Sequence, residues 1–197
     1  ETGLIIPIGK WVLEQAIRQL LDWRASGHII QIAINISAIQ IQRGDINQTI
    51  MDLQNKYQFN PADVELEVTE SVLMEFPEKA VEVLSSVRKL GLSVALDDFG
   101  TGFSSLSNLK RYPISTIKID KSFVQDILED ANDAAITRAV VAMGQSLDIV
   151  VVAEGVESAL HVKYLQELGC HQAQGYYYSR PIPADEFKRQ FLSGDDS

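Results

Sequence analysis

Six apolar runs in this 197-residue chain each end in a polar residue able to do chemistry: Asn35, Glu67, Asp97, Lys118, Glu154 and Gln174. A strand alternates its side chains between two faces. In Ile32-Ala33-Ile34-Asn35-Ile36-Ser37 the isoleucines take one face and Asn35 the other. Leu66 and Val68 likewise oppose Glu67, Val94 and Leu96 oppose Asp97, and Ile117 and Ile119 oppose Lys118. The runs ending at Glu154 and Gln174 fit less cleanly. One isolated polar group in a buried strand is costly, so six at equivalent places describe a shared polar site. Asn35, Glu67, Asp97, Asp98 and Glu154 are hard oxygen donors. Converging carboxylates repel one another, and Mg²⁺ or Mn²⁺ would relieve that repulsion. Two such ions activate a water and stabilise phosphoryl oxygens. Asp97-Asp98 spans a strand end, so one side chain points inward and its neighbour turns across the rim. Lys118 supplies a cation to hold an attacking water or stabilise transition-state charge.

Taken singly, each residue has a plainer reading. An Asn at a strand end is often structural, and Asp-Asp before Phe99-Gly100 suits turn and capping chemistry. Lys118 could pair with Asp120 or Glu154, and Gln174 could satisfy backbone groups. Glu70 and Glu157, each three residues beyond a carboxylate, could open helices as N-terminal acids. The loop Asp98-Phe99-Gly100-Thr101-Gly102-Phe103-Ser104-Ser105 has two glycines that permit unusual backbone angles. Its hydroxyls could bond nearby carboxylates, making it a gate for metal occupancy, or it is an ordinary helix-entry loop with a Ser cap. Tyr176, Tyr177 and Tyr178 precede Ser179-Arg180-Pro181. Aromatics beside an arginine suit a purine and its phosphate, but also a half-buried strand. His28, His161 and His171 lack metal-ligand spacing and read as surface or packing residues, and Cys170 as a packed small residue.

Strand and helix patterns alternate along the chain. Helices are predicted over 9–24, 46–57, 77–90, 104–111, 121–147 (interrupted near 130–133), 157–168 and 184–192. Strands are predicted over 30–36, 63–69, 92–97, 115–120, 149–154 and 171–178. This order implies parallel strands with helical crossovers. Polar groups at the carboxyl ends of the strands favour a barrel with its active face there. A doubly wound open sheet would gather them at one crevice. Dinucleotide, Walker and nucleophile-elbow motifs are absent.

The composition gives 17 basic against 27 acidic residues, a net charge of −10, which argues against a nucleic-acid polymer as partner. A single cysteine points to a reducing compartment. No apolar run is long enough to span a membrane. The expected location is the cytoplasm, either free or as the cytoplasmic part of a membrane-anchored protein. The length suits one domain over 1–197.

In combination these residues resemble the EAL domain, a family of bacterial cyclic-di-GMP phosphodiesterases. The matching segments are Glu1-Thr2-Gly3-Leu4-Ile5, Asn35-Ile36-Ser37, Glu67-Val68-Thr69-Glu70-Ser71, Asp97 to Gly102, Lys118-Ile119-Asp120, Ala153 to Glu157, Gln174-Gly175-Tyr176 and Ser179-Arg180-Pro181. They cover nearly the whole chain in the expected order. The resemblance implies an α/β fold, a modified TIM-type barrel whose first strand runs antiparallel to the rest. It implies hydrolysis of cyclic-di-GMP to linear pGpG with Mg²⁺ or Mn²⁺. By position, Asn35, Glu67, Asp97, Asp98 and Glu154 match metal ligands and Lys118 the catalytic lysine. Glu70 matches the acid that anchors the loop of Phe99, Gly100, Thr101, Gly102 and Ser104. Glu157 and Gln174 match assisting positions, and Asp98, Gln174, Tyr176, Arg180 and Pro181 the ligand side. The Glu-Ala-Leu segment that names the family has no counterpart in this sequence. Six strands stand where the family barrel has eight, so the domain is expected to be N-terminally incomplete and lacking its first strands. A homodimer through the helix beyond Lys118 and an attached sensory or GGDEF-type module are implied. The competing expectations are a catalytically inactive cyclic-di-GMP receptor and a purely structural dimerisation domain.

Overall fold

Residues 3–102, 109 and 111–193 are described by a computed structural model of the chain. Six strands form one sheet: β1 (Ile32–Asn35), β2 (Val64–Thr69), β3 (Ser93–Phe99), β4 (Thr116–Ile119), β5 (Val150–Ala153) and β6 (Gln172–Ala173). Their order is β1-β2-β3-β4-β5-β6, and every pairing is parallel. That order settles the architecture. A sheet built by stepping always in one direction, with crossovers of one hand, places its helices on one face. The bare face then curls toward itself as a barrel does. A doubly wound sheet reverses direction partway, and this one does not. The antiparallel first strand implied by the family resemblance is not among the described residues.

The helices are α1 (Ile5–Ala25), α2 (Ala38–Arg43), α3 (Ile46–Tyr57), α4 (Glu70–Glu75), α5 (Pro77–Lys89), α6 (Lys121–Gln125), α7 (Ala131–Leu147), α8 (Ala159–Glu167) and α9 (Ala184–Phe187). Between helices and sheet lies the core. Leu66, Val68, Val94, Leu96, Ile117, Ile119, Val151 and Ala153 point outward from the strands and are buried with Leu13, Ile17, Leu84 and Val141 from the helices. Burying one such side chain contributes about 1.5–3 kcal/mol, which fixes strand register. A slip of one residue would turn the carboxylates into this core.

Several predicted elements change shape. Helix α1 starts at Ile5, not residue 9, because Pro7 falls in its first turn, where an N–H has no helical partner. Two short helices were not predicted. Helix α2 is held by a reciprocal capping box between Ser37 and Gln40, and α4 follows β2 directly. The stretch over 121–147 splits between Gln125 and Ala131, where Asp130 accepts from the amides of Asn132 and Asp133. The strand predicted over 171–178 ends at Ala173. There the chain turns: Tyr177 donates its amide to Val156 and Tyr178 to Gly175. Most of the helix predicted over 104–111 lies outside the described residues. The last helix continues from α9 as a π-helical turn over Lys188–Leu192. Phe187, the last residue of α9, packs 5.3 Å from the Trp23 ring and brings α9 onto α1.

Candidate active site

The inner faces of β2, β3, β4 and the end of β5 converge on Lys118. Its Nζ lies 2.7 Å from Glu154, 2.9 Å from Glu67 and 3.1 Å from Asp97. Only 7% of the Lys118 side chain is exposed. Burial alone would push its ammonium toward neutrality, but the bonds to Glu154 and Glu67 win and raise its pKa. Lys118 is therefore a fixed cation and a donor. The sequence allowed a simple pair with Asp120 or Glu154; the Glu154 contact is there, and Glu67 on β2 and Asp97 on β3 join it.

Asp98 joins this group through an irregularity in the backbone. The β3–β4 register shifts between Leu96 and Phe99, and Asp98 adopts a left-handed φ of 55°. Such a φ is rare for a residue with a Cβ and marks a backbone held by its surroundings. Regular alternation would send Asp98 to the helix side. The kink instead brings a carboxylate oxygen each from Asp97, Asp98 and Glu154 within 4.8 Å of one another. Burial, then the charges of Asp97 and Asp120, push the Asp98 pKa up. Burial does the same to Glu154, against the pull of Lys118. With one ammonium among four carboxylates, the group keeps excess negative charge. Its donors are hard oxygens, the set that suits a divalent cation, so the cluster fits a metal ion.

Glu70 is 2% exposed at the start of α4. Its Oε2 accepts the amides of Gly100 at 3.1 Å and Gly102 at 3.2 Å. The loop after Asp98 is thus tied to the strand end that carries Glu67. Thr101 does not reach a carboxylate side chain as the sequence suggested. Its hydroxyl donates to the backbone carbonyl of Asp98 at 2.9 Å and closes the turn. Phe99 ends β3 and is buried, and Ser104 lies outside the described residues.

The remaining candidates lie at the mouth and on the open side. Asn35 is exposed on β1, in register with Glu67 on β2. Glu157 is exposed and accepts from Gln125 Nε2 at 3.2 Å. Gln174 and Tyr176 separate two cavities. The smaller, about 230 Å³, is also lined by Lys121, Glu154 and Glu157. The larger, about 980 Å³, runs down the inner face between β1 and β6 past Ala33, Gln172, Arg180 and Pro181. The guanidinium of Arg180 lies 4.5 Å over the Tyr176 ring. Cys170 is half-buried and its thiol is pushed up by burial, which fits packing and not nucleophilic attack. His161 is buried and accepts the Glu157 amide at 3.4 Å, and His171 accepts the Val151 amide at 3.1 Å, so both act as packing and backbone partners.

Sequence reasoning missed two inner-face groups: Glu65 and Thr116 meet one layer below Lys118. The available signal was the period of two: Thr116 lies two residues from Lys118, and Glu65 two from Glu67. Asp120, which the sequence offered as a partner for Lys118, instead caps the amide of Ser122, and its charge helps push the Asp98 carboxyl up.

The chain is similar to known proteins over nearly its whole length. The family model described as EAL domain matches residues 1–181. The signaling protein YkoW of Bacillus subtilis (strain 168) is 48% identical over 192 residues, covering 98% of this chain and 24% of that protein. The bifunctional diguanylate cyclase/cyclic di-GMP phosphodiesterase MucR of Pseudomonas aeruginosa is 40% identical over 187 residues, covering 94% of this chain and 27% of that protein. A solved structure of the PaMucR phosphodiesterase in its c-di-GMP complex superposes with a TM-score of 0.90 at 40% identity, covering 94% of this chain and 76% of that one. The manganese/cy-diGMP complex of Klebsiella pneumoniae BlrP1 superposes with a TM-score of 0.83 at 31% identity, covering 92% of this chain and 46% of that one. The chain thus spans about a quarter of the length of the curated relatives it matches.

Proposed function

Because this chain belongs to the EAL domain family, we propose that it hydrolyses one phosphodiester of cyclic-di-GMP to linear pGpG, in bacterial second-messenger signalling. The observation that carries the reading is Lys118, a buried and protonated lysine, amid Glu67, Asp97 and Glu154 with Asp98 beside them. Water adds its oxygen to phosphorus, the bond from phosphorus to one ribose 3′ oxygen breaks, and that oxygen takes a proton. Lys118 has a proton to donate in a hydrogen bond and a charge that opposes the growing negative charge on the phosphoryl oxygens. Its carboxylate neighbours can accept the proton the water gives up.

Asn35, Glu67, Asp97, Asp98 and Glu154 would hold Mg²⁺ or Mn²⁺, two ions in all, supplying Lewis-acid stabilisation of phosphoryl oxygens and a more acidic water. The fit of hard donors and excess negative charge supports this assignment. Glu70 positions the loop of Phe99 to Gly102 beside Asp98. Gln174, Tyr176, Arg180 and Pro181 form the guanine and phosphate side, and Glu157 orders the rim of the smaller cavity. The 197 residues act as one domain in the cytoplasm. They sit beside a sensory or cyclase module, as the composite name of MucR suggests for that relative, and pair as a homodimer through α7. Among the described residues no helix is long and apolar enough to cross a membrane.

The test is direct. Incubated with cyclic-di-GMP and Mg²⁺ or Mn²⁺, the full-length protein is expected to release pGpG, and Glu67→Ala or Lys118→Ala to abolish release. Tight binding of cyclic-di-GMP with no turnover would overturn the reading in favour of a receptor.

A further inference from the structure

One layer beneath Lys118 lies a second cross-barrel contact. Thr116 Oγ1 donates to Glu65 Oε2 at 2.7 Å, and both residues are buried, at 5% and 8% exposure. Thr116 is on β4 and Glu65 on β2, which are not neighbours; β3 runs between them. The path is open because the intervening inner-face residue is Ala95, in register with both Glu67 and Thr116. Thr116 precedes Lys118 by two residues and Glu65 precedes Glu67 by two, so each member sits one pleat, roughly 7 Å, below a member of the lysine ring. Burial pushes the Glu65 carboxyl up, the bond from Thr116 pulls it down, the charge of Glu67 pushes it up again, and the charge of Lys118, felt from the layer above, pulls it down. Without a donor of its own, its carboxylate would compete for the ammonium and draw it down, away from Glu154 and Asp97.

We propose that the Glu65–Thr116 hydrogen bond is a positioning device for Lys118: by giving the deeper carboxylate a partner, Thr116 leaves the ammonium to the three carboxylates at the rim. A buried carboxylate stripped of its donor seeks the nearest remaining one. Of the two cations whose charge reaches Glu65, Lys118 and Arg88, Lys118 acts more strongly, and its ammonium rides on a flexible four-carbon stem. Thr116 and Glu65 act through Lys118 and touch no substrate. The kinetic consequence rests on the phosphodiesterase reading; the placement of Lys118 does not.

The experiment uses the full-length protein with Thr116→Val, Thr116→Ser, Glu65→Gln and the double variant Glu65→Gln/Thr116→Val. Ala95→Val, which crowds the same path from β3, guards against a Thr116→Val that fails to fold. Two quantities are read: kcat and KM for cyclic-di-GMP, and the acylation rate of each lysine by peptide mass mapping. Thr116→Val and Ala95→Val are expected to lower kcat about tenfold with KM within about twofold, and to change acylation of Lys118 several-fold more than that of any other lysine. Thr116→Ser keeps the donor and is expected to behave as wild type. The double variant is expected to recover most of the kcat, because a glutamine has no charge with which to draw the lysine down. Loss of kcat in Thr116→Val without recovery in the double variant would overturn the proposal. So would a uniform rise in acylation at all lysines, which is the mark of general loosening. Should the wild type release no pGpG, the functional reading fails and the Lys118 acylation pattern alone decides this inference.

Discussion

Lys118 concentrates both the stability and the chemistry of the site. Three carboxylates share its ammonium in a place where 7% of the side chain is exposed. Removing one partner of such a buried group leaves uncompensated charge, which costs about 3 kcal/mol or more. Lys118→Met is therefore expected to melt well below wild type without metal, and millimolar Mn²⁺ to raise its melting temperature by more than it raises the wild type's, because the cation replaces the missing charge. Thermal melts with and without Mn²⁺ check this; equal shifts in both proteins would count against a cation site among these carboxylates. A different charge cluster contributes to acid stability. Glu14 accepts from Tyr57, Lys56 and Arg18 at 2.6, 2.9 and 2.9 Å, and these bonds lower its pKa from 4.5 to about 2. A carboxyl depressed in the folded state adds stability above its unfolded value and loses it as pH falls through the folded one. Glu14→Gln is expected to lower the melting temperature at pH 7, and the gap to close between pH 4.5 and 2. A gap constant with pH would show that the glutamate acts by packing alone. At this scale the sequence was readable wherever strand alternation held. Asn35, Glu67, Asp97 and Lys118 share the inner face because period two places them there. Asp98 does so only through its left-handed backbone, which no alternation rule reports.

Elements position these residues by ties between strand ends. The carboxylate of Glu70, at the head of α4, gathers the amides of Gly100 and Gly102 beyond the end of β3. Glu70→Ala removes the one acceptor that holds both amides. It is expected to speed amide exchange at residues 100–102 and to reduce turnover at least tenfold, while exchange in β1 and β2 changes little. Gly102→Ala attacks the same tie from the other side. A Cβ there would lie 2.8 Å from the Glu70 carboxyl carbon, so one of the two must yield, and the variant is expected to match Glu70→Ala in exchange and rate. Hydrogen exchange by mass spectrometry separates the outcomes; a Gly102→Ala protein that exchanges like wild type would mean the tie is not needed. The long elements were legible because hydrophobic periodicity over three or more turns is hard to mistake. The short ones were not. Helices α2 and α4 span six residues each, too few for periodicity to register, and they exist through the Ser37–Gln40 capping box and the docking of Glu70. The tyrosines at 176–178 read as strand from side-chain type, but backbone bonds to Val156 and Gly175 make them a turn.

For the molecule as a whole, the decisive fact is that the sheet steps in one direction from β1 to β6 and the two ends do not pair among the described residues. Barrel against doubly wound sheet was arguable from the recurrence of polar residues at strand ends. The width of the gap was not, because it depends on how far six strands curl. Ala33 and Gln172 line one open cleft of about 980 Å³ between the two edge strands. An unpaired strand edge offers a row of amides and carbonyls to any other strand. The 197-residue chain by itself is expected to associate with rising concentration. The edge can be blocked without harming the ladder. Ile36 donates its amide to Glu67 on β2, so along a parallel ladder the amides one residue out of phase, that of Ala33 among them, face the free edge. Proline is tolerated at such a position and removes the donor. Ala33→Pro is therefore expected to reduce the mass measured by light scattering at high concentration while leaving the melting temperature within a few degrees of wild type. Association undiminished by Ala33→Pro would move the contact away from β1, to the β6 edge or to a helix face. A collapse in melting temperature would mean that the Ala33 amide is already bonded within the sheet, and the register of β1 would have to be redrawn.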